Sequence, residues 1–222
     1  APGFRHDEVL PRIERSALAW IDERAQDRSK PFFLYLPLTS PHTPWLPTGG
    51  HAGKSKAGAY GDFVMQTDAL VGRLLDALER HGLAKDTLVV LTSDNGSHWP
   101  QEDVVRWGHK SNLDWRGQKS DVHEAGHRVP FIVRWPGRIP EGKVCAEPGI
   151  LVDLFATFAD LLGEKLPDGA AEDSFSLWPA WKDPARAPGL RPHLIHHSGN
   201  GMFALREGAW KLIEGKGSGG EN

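Results

Sequence analysis

Asp94 and Asn95 set a carboxylate and an amide side by side where an apolar, β-branched run stops, in the stretch TLVVLTSDNGSHW (87–99). Both side chains offer hard oxygen donors of the kind that bind Ca2+ or Mg2+. Gly96 follows at once and lets the backbone turn sharply enough for the two to converge. The same residues also make a favourable Asx-type turn that merely closes a strand, and on spacing alone the turn is the commoner use. His42 lies in SPHTP, between Pro41 and Pro44. A histidine fixed in such a loop can donate a proton to a leaving group, although alone it reads as an ordinary surface residue. Lys119, in WRGQKSDVHEAGHRVPFIVRWPG (115–137), is a candidate clamp for an anionic ester, as are Arg116 and Arg128; most loop cations are simply solvated. His196 and His197 are neighbours on an expected strand, so they point to opposite faces and read as structural or rim residues, not a metal pair. Trp45, Trp99, Trp107 and Trp115 crowd the same loops, where they either pack or line a pocket for an organic substrate.

The elements that must position these residues follow from periodicity. Residues 8–26 place Leu10, Ile13, Ala17, Leu18 and Ile21 near helical spacing, an amphipathic helix. PFFLYLP (31–37), bounded by prolines, predicts a buried strand, and TSPHTPWLPTGG after it a loop. Phe63, Leu70, Leu74 and Leu78 line one face of a second helix from Tyr60 to Arg80, with Gly82 just past its end. TLVVLTS is the next strand. Residues 96–127 show no sustained period and predict a long irregular loop, a kind of segment that usually has a function. VPFIVRWPG (129–137) predicts another buried strand, and residues 150–162 a helix ended by Gly163. Beyond the proline-rich WPAWKDPARAPGLRP, the segments HLIHHS, MFALRE and WKLIEG predict a small antiparallel meander with turns at GNG and EGA.

Helix–strand alternation argues for an α/β fold with a largely parallel sheet over residues 1–180, and a small antiparallel subdomain over 190–222. In such sheets ligands gather at the carboxyl ends of strands, where the loop after Pro37, the Asp94 corner and the long loop are all expected. Composition is ordinary: 222 residues, 39% hydrophobic and 25% charged, with a formal net charge of −3. That charge gives no case for a nucleic-acid or membrane-surface partner, and no apolar run is long enough to span a bilayer. Cys145 is the one cysteine, so neither an intrachain disulfide nor a cysteine zinc cluster can form.

Taken in order, KPFFLYLPLTSPHTP, GDFVMQTDALVGRLLDALERHGLAKDTLVVLTSDNG and RGQKSDVHEAGHRVPFIVRWPG resemble the type I sulfatases of the alkaline-phosphatase-like superfamily. HHSGNGMFALREGAWKLI is similar to the small C-terminal subdomain of that family. The resemblance implies part of a three-layer α/β/α sandwich and hydrolysis of sulfate esters at a site with one divalent cation, usually Ca2+. It implies Asp94 and Asn95 as metal ligands, His42 on the sulfate and the leaving oxygen, and Lys119 on the sulfate and its bridging oxygen. Those roles are chemically coherent, because negative charge moves to the leaving oxygen as the S–O bond breaks.

One expected feature is missing. The family nucleophile is a formylglycine made from a Cys/Ser-x-Pro-x-Arg motif, and Cys145 is followed by AEPG while Ser29, in SKPFF, has Phe33 where arginine is required. Two acidic metal ligands, a further lysine and a further histidine also precede the matching region in the family. The chain therefore reads as the C-terminal part of a sulfatase, opening at APGFRHDE on an internal boundary, and is expected not to turn over sulfate esters alone. The expected substrate is a sulfated small molecule or sulfated carbohydrate, and the expected location the periplasm or outside the cell. Two other readings stand beside this: a phosphodiesterase or phosphonate hydrolase of the same superfamily, and a non-catalytic metal- or anion-binding module.

Overall fold

The structure is a computed structural model that describes residues 3–185 and 189–220. Residues 1–2 of the expected opening boundary and 186–188 of the expected linker lie outside the described residues. The chain divides into two compact units, residues 1–87 with 101–109 and residues 88–100 with 110–222.

In the first unit, α1 (Val9–Arg24) and α2 (Gly58–Arg80) form where the apolar spacing predicts them. The stripe of α1 buries Leu10, Ala17 and Ile21. Leu10 meets Phe63 and Leu70 of α2, and Leu38, Trp45 and Leu74 pack against that cluster. Arg73 of α2 pairs with Glu14 of α1, its Nη2 donating to Oε2 at 2.8 Å. Gly82 (φ 62°) ends α2: its N–H donates to Glu79 O at 2.9 Å and the Leu83 N–H to Leu78 O at 2.8 Å. That pair of bonds is the Schellman pattern, which satisfies carbonyls the last turn would leave unpaired.

The apolar run 31–37 departs from expectation. It forms no strand ladder among the described residues, and Phe33 and Tyr35 are 75% and 77% exposed. Exposure still alternates residue by residue, with Phe32, Leu34 and Leu36 half-buried, so the backbone is extended with one face packed. Periodicity cannot tell such a segment from a strand buried on both sides, because a continuous apolar run looks the same in each. The expected loop 96–127 likewise contains two short helices, α3 (Gln101–Trp107), which belongs to the first unit, and α4 (Glu124–His127). Both are too brief to leave a helical period.

In the second unit, β1 (Val89–Thr92) pairs with β2 (Phe131–Arg134) in antiparallel register from Val89↔Arg134 to Thr92↔Phe131. Alternation predicted parallel pairing, but every ladder among the described residues is antiparallel. Nor is β2 buried throughout, since Ile132 is 57% exposed. α5 (Asp153–Leu162) and α6 (Trp178–Lys182) follow. The C-terminal meander forms as predicted, with β3 (Leu194–His197), β4 (Phe203–Glu207) and β5 (Trp210–Ile213) in the order β3-β4-β5.

Candidate functional site

Asp94 and Asn95 stand just beyond β1, Asp94 exposed and Asn95 half-buried. The Asn95 amide nitrogen donates to Gly96 O at 2.9 Å, and Ser93 Oγ donates to Asn95 O at 3.1 Å. The Asp94 carboxylate receives only a 3.5 Å contact from Ser93 Oγ. The corner is therefore closed by side-chain donors on its backbone carbonyls, leaving the Asp94 carboxylate and the Asn95 side-chain carbonyl as acceptors. Together they fit part of a hard-cation shell, two donors against the six to eight oxygens that Ca2+ takes. Among the described residues no group of three or more His, Cys, Asp or Glu is placed to hold a metal ion.

The loop that carries Lys119 is docked onto this corner. The Lys119 N–H donates to Ser97 O at 3.2 Å and the Gly96 N–H to Gly126 O at 2.9 Å. Asn112 closes the same turn, accepting from Ser97 N at 3.1 Å and donating to Ser97 O at 2.9 Å. Gln118 Oε1 accepts from the Trp99 N–H at 3.1 Å. The approach is close enough to require glycine: a Cβ on Gly96 would lie 1.7 Å from Ala125 O, and one on Gly126 would lie 2.1 Å from Asp121 O. The structure thus brings Asp94, Asn95 and the Lys119 backbone together within one unit.

His42 belongs to the other unit, where it is exposed on a loop with cis peptide bonds before Pro41 and Pro44. Its Nδ1 lies 2.7 Å from Thr43 O. A proton on Nδ1 would satisfy that carbonyl and leave Nε2 to exchange the second proton. Polar groups on α2 hold the loop system down, and the apolar pattern gave no sign of them. Buried Asp62 accepts from the N–H groups of Gly53, Lys54 and Ser55 at 2.7, 2.9 and 2.6 Å. The Ser55 N–H, followed by those of Gly53 and Lys54, keeps its carboxyl below the usual carboxylate range against the opposing effect of burial. Buried Gln66 accepts from Thr48 N at 2.7 Å, and Thr67 Oγ1 donates to Ser40 Oγ at 2.8 Å.

Beyond Lys119, Glu124 gathers three cations: Arg128 and Arg206 at 2.7 Å each, and Lys211 at 3.0 Å. Partial burial pushes its carboxyl up, but the hydrogen bonds from Arg128 and Lys211 and the charges of Lys211 and Arg206 outweigh this and hold it at about 2. Arg128 also lies 4.0 Å over the Trp115 ring, so it is tied into structure and is not a free anion clamp. The other tryptophans also serve packing: Trp99 is buried, Trp45 packs on the α1–α2 core, and Trp107 fills the space beside Gly58.

His123 and His127 have buried Nε2 atoms with no hydrogen-bond partner among the described residues. Burial, then the neighbouring His196 and Lys211, pushes His127 down to about 4. The His127 and His196 rings lie against each other, tilted by 47° with centroids 4.1 Å apart, while His197 turns to the other face and lies against Phe203. That confirms the opposite-face reading of the adjacent histidines. The sequence carried one signal for the Glu124 cluster, the Glu124/Arg128 pair at i,i+4. Its other partners stand 82 and 87 residues away.

Comparison with known proteins decides the family. The Sulfatase family profile matches residues 12–164. The chain belongs to the sulfatase family. This sulfatase chain is 42% identical over 195 residues to a Mus musculus steryl-sulfatase, covering 85% of the chain and 31% of that protein. It is 34% identical over 218 residues to an N-acetylgalactosamine-6-O-sulfatase of Bacteroides thetaiotaomicron, covering 95% of the chain and 41% of that protein. A solved structure concerned with glycosaminoglycan metabolism by the same bacterium superposes with a TM-score of 0.85 at 31% identity, over 95% of this chain and 44% of the other. The sulfatase chain thus spans roughly a third to two-fifths of the length of the curated relatives it matches, and its α/β fold is that of the alkaline-phosphatase-like sulfatases. No helix among the described residues is long and apolar enough to cross a membrane.

Proposed function

We propose that this chain supplies part of the active site of a sulfuric ester hydrolase, with Asp94 and Asn95 as oxygen ligands of a divalent cation, Ca2+, and Lys119 and His42 acting on the substrate. The observation that carries the reading is the backbone docking of the Lys119 loop onto the Asp94–Asn95 corner, through Lys119 N–H to Ser97 O and Gly96 N–H to Gly126 O. The cation, when bound, draws electron density from the sulfate oxygens. Lys119 holds its ammonium against the sulfate and bridging oxygen, where charge develops as the S–O bond breaks. His42, with Nδ1 toward Thr43 O, delivers a proton from Nε2 to the departing oxygen. The electron pair of the broken bond stays on that oxygen, the sulfur passes to the nucleophile, and with one water consumed overall the products are an alcohol or phenol and hydrogen sulfate.

The 222 residues contain no Cys/Ser-x-Pro-x-Arg motif, so the formylglycine nucleophile must come from sequence outside them. The substrate is a sulfated small molecule or a sulfated carbohydrate, in keeping with relatives named for steryl sulfate and for N-acetylgalactosamine 6-O-sulfate.

An aryl sulfate, with an aryl phosphate and an aryl phosphonate as comparison substrates, tests this reading on the full-length protein. Metal-dependent turnover of the sulfate is expected, reduced about 100-fold or more by Lys119→Ala and abolished by Asp94→Ala together with calcium retention. The isolated 222-residue chain is expected to be inactive. Preference for the phosphate or phosphonate, or unchanged calcium binding by Asp94→Ala, would overturn the assignment.

A further inference from the structure

We propose that the C-terminal β3-β4-β5 meander and the segment after it form a latch that sets the position of Lys119, with Lys211 as the main positioning residue. The inference rests on the role of Lys119 given above. Two of the three residues after Lys119, Ser120 and Val122, are held by this region. Ser120 O accepts from the Gly199 N–H at 2.8 Å, and the Val122 N–H donates to Ser218 O at 2.8 Å. Val122 O accepts from Lys211 Nζ at 2.6 Å, with His196 Nε2 at 3.2 Å from the same oxygen. Val122 is fully buried, so its peptide groups have no water to turn to if these partners leave. Between them Gly220 packs closely on Asp121: a Cβ there would lie 2.2 Å from Asp121 Oδ1 and 3.2 Å from its backbone nitrogen, so the carboxylate would have to shift.

The loop needs holding. Ser120 has φ 73°, in the left-handed region that a serine seldom occupies without external constraint. A turn closes around it, with the Asp121 N–H donating to Gln118 O at 3.0 Å, and the Gly199 N–H adds a bond to Ser120 O from far along the chain. The latch is also charged. Arg206 and Lys211 are directly paired across β4 and β5, and two like charges so placed repel each other. Both donate to Glu124, at 2.7 and 3.0 Å, and the carboxylate turns the repulsion into attraction directed at the Lys119 loop. Sheet, carboxylate and loop therefore stabilise one another, and removing Lys211 takes from the Val122 carbonyl the shorter of its two contacts and leaves Glu124 with one fewer cation.

The test uses the full-length protein, with amide hydrogen exchange and inorganic sulfate binding in the presence of Ca2+ as readouts. Lys211→Met keeps the apolar stem and removes the donor. It should speed exchange of the Val122 amide at least tenfold while leaving the β1–β2 amides unchanged. It should weaken sulfate about tenfold when Lys119 is present and less than twofold when Lys119 is alanine, and Lys211→Arg should restore most of both losses. Unchanged Val122 exchange in Lys211→Met, or an equal loss of sulfate binding in both backgrounds, overturns the latch. A Lys119→Ala variant that binds sulfate normally would instead overturn the role of Lys119, leaving the latch to be decided by exchange alone. If Lys211→Met does not fold, exchange in the unaltered protein decides: the Val122 amide opening together with the β4 and β5 amides supports the latch, and opening with the β1 and β2 amides overturns it.

Discussion

A methyl group on Gly96 would lie 1.7 Å from the carbonyl oxygen of Ala125, whereas one on Gly72, in the middle of α2, would meet nothing within 4 Å. The same substitution should therefore have opposite signs at the two positions. Gly72→Ala keeps the helix and removes backbone freedom from the unfolded chain, which stabilises by about 0.5–1 kcal/mol. Gly96→Ala must push the strand tip away from α4 and break the Gly96 N–H to Gly126 O bond, at a cost of about 3 kcal/mol. Urea midpoints at constant m-value measure both. Because the Gly96 contact is also what docks the Lys119 loop, Gly96→Ala should weaken inorganic sulfate binding as well, and Gly72→Ala should leave it alone. A sequence reader sees Gly96 only as a turn residue, since the backbone it touches is supplied by residues 125 and 126.

At the scale of elements, a buried ion pair ties the start of α5 to the approach of β3. Asp153 is fully buried and accepts from the Ile150 and Phe175 N–H groups at 2.9 Å each, while Arg191 donates to it from Nε at 3.1 Å and also from Nη2. Arg191 is further engaged by Asp173 O and lies over the Phe175 ring. Asp153→Ala would strand a buried guanidinium and should cost about 3–5 kcal/mol, whereas Asp153→Leu combined with Arg191→Met should cost clearly less than that single change. Thermal and urea unfolding of the three variants checks the order. Neither residue stood out in the sequence, where Asp153 was one polar letter in an apolar helix. The elements that were legible, α1, α2, α5 and the meander, are those whose apolar spacing is decided locally or by a close turn. Residues 31–37 were misread because apolar letters do not say which face meets a neighbour. The residues proposed for the site, Asp94, Asn95, His42 and Lys119, were singled out by the order of three motifs, whereas the contacts of Asp62, Gln66 and Lys211 with their loops leave no periodic signal in the sequence.

For the whole molecule, burial and charge combine into an acid response with two stages. His127 stays neutral in the folded protein down to about pH 4, because burial and then His196 and Lys211 oppose its protonation, while an unfolded histidine takes up its proton near 6.5. Between those values the unfolded chain binds more protons, so stability falls as pH drops from 6.5 toward 4. His196 is shifted down as well, chiefly by burial, and acts in the same direction. Glu124 then takes over. Its folded carboxyl, held at about 2 against an ordinary 4.5, contributes stability that is complete above 4.5 and lost as pH falls toward 2. His127→Gln should flatten the first stage, recovering on the order of 1–2 kcal/mol near pH 4.5 after allowance for solvent screening. Glu124→Gln should flatten the second stage and also lower stability at neutral pH by about 2 kcal/mol, since Arg128, Arg206 and Lys211 lose a shared counter-charge. Urea midpoints followed from pH 7.5 to 3 in the unaltered protein and both variants separate the two stages. A His127→Gln variant that kept the full slope between pH 6.5 and 4 would remove the buried histidine as its source and leave the neighbouring His196 as the group that takes up the proton.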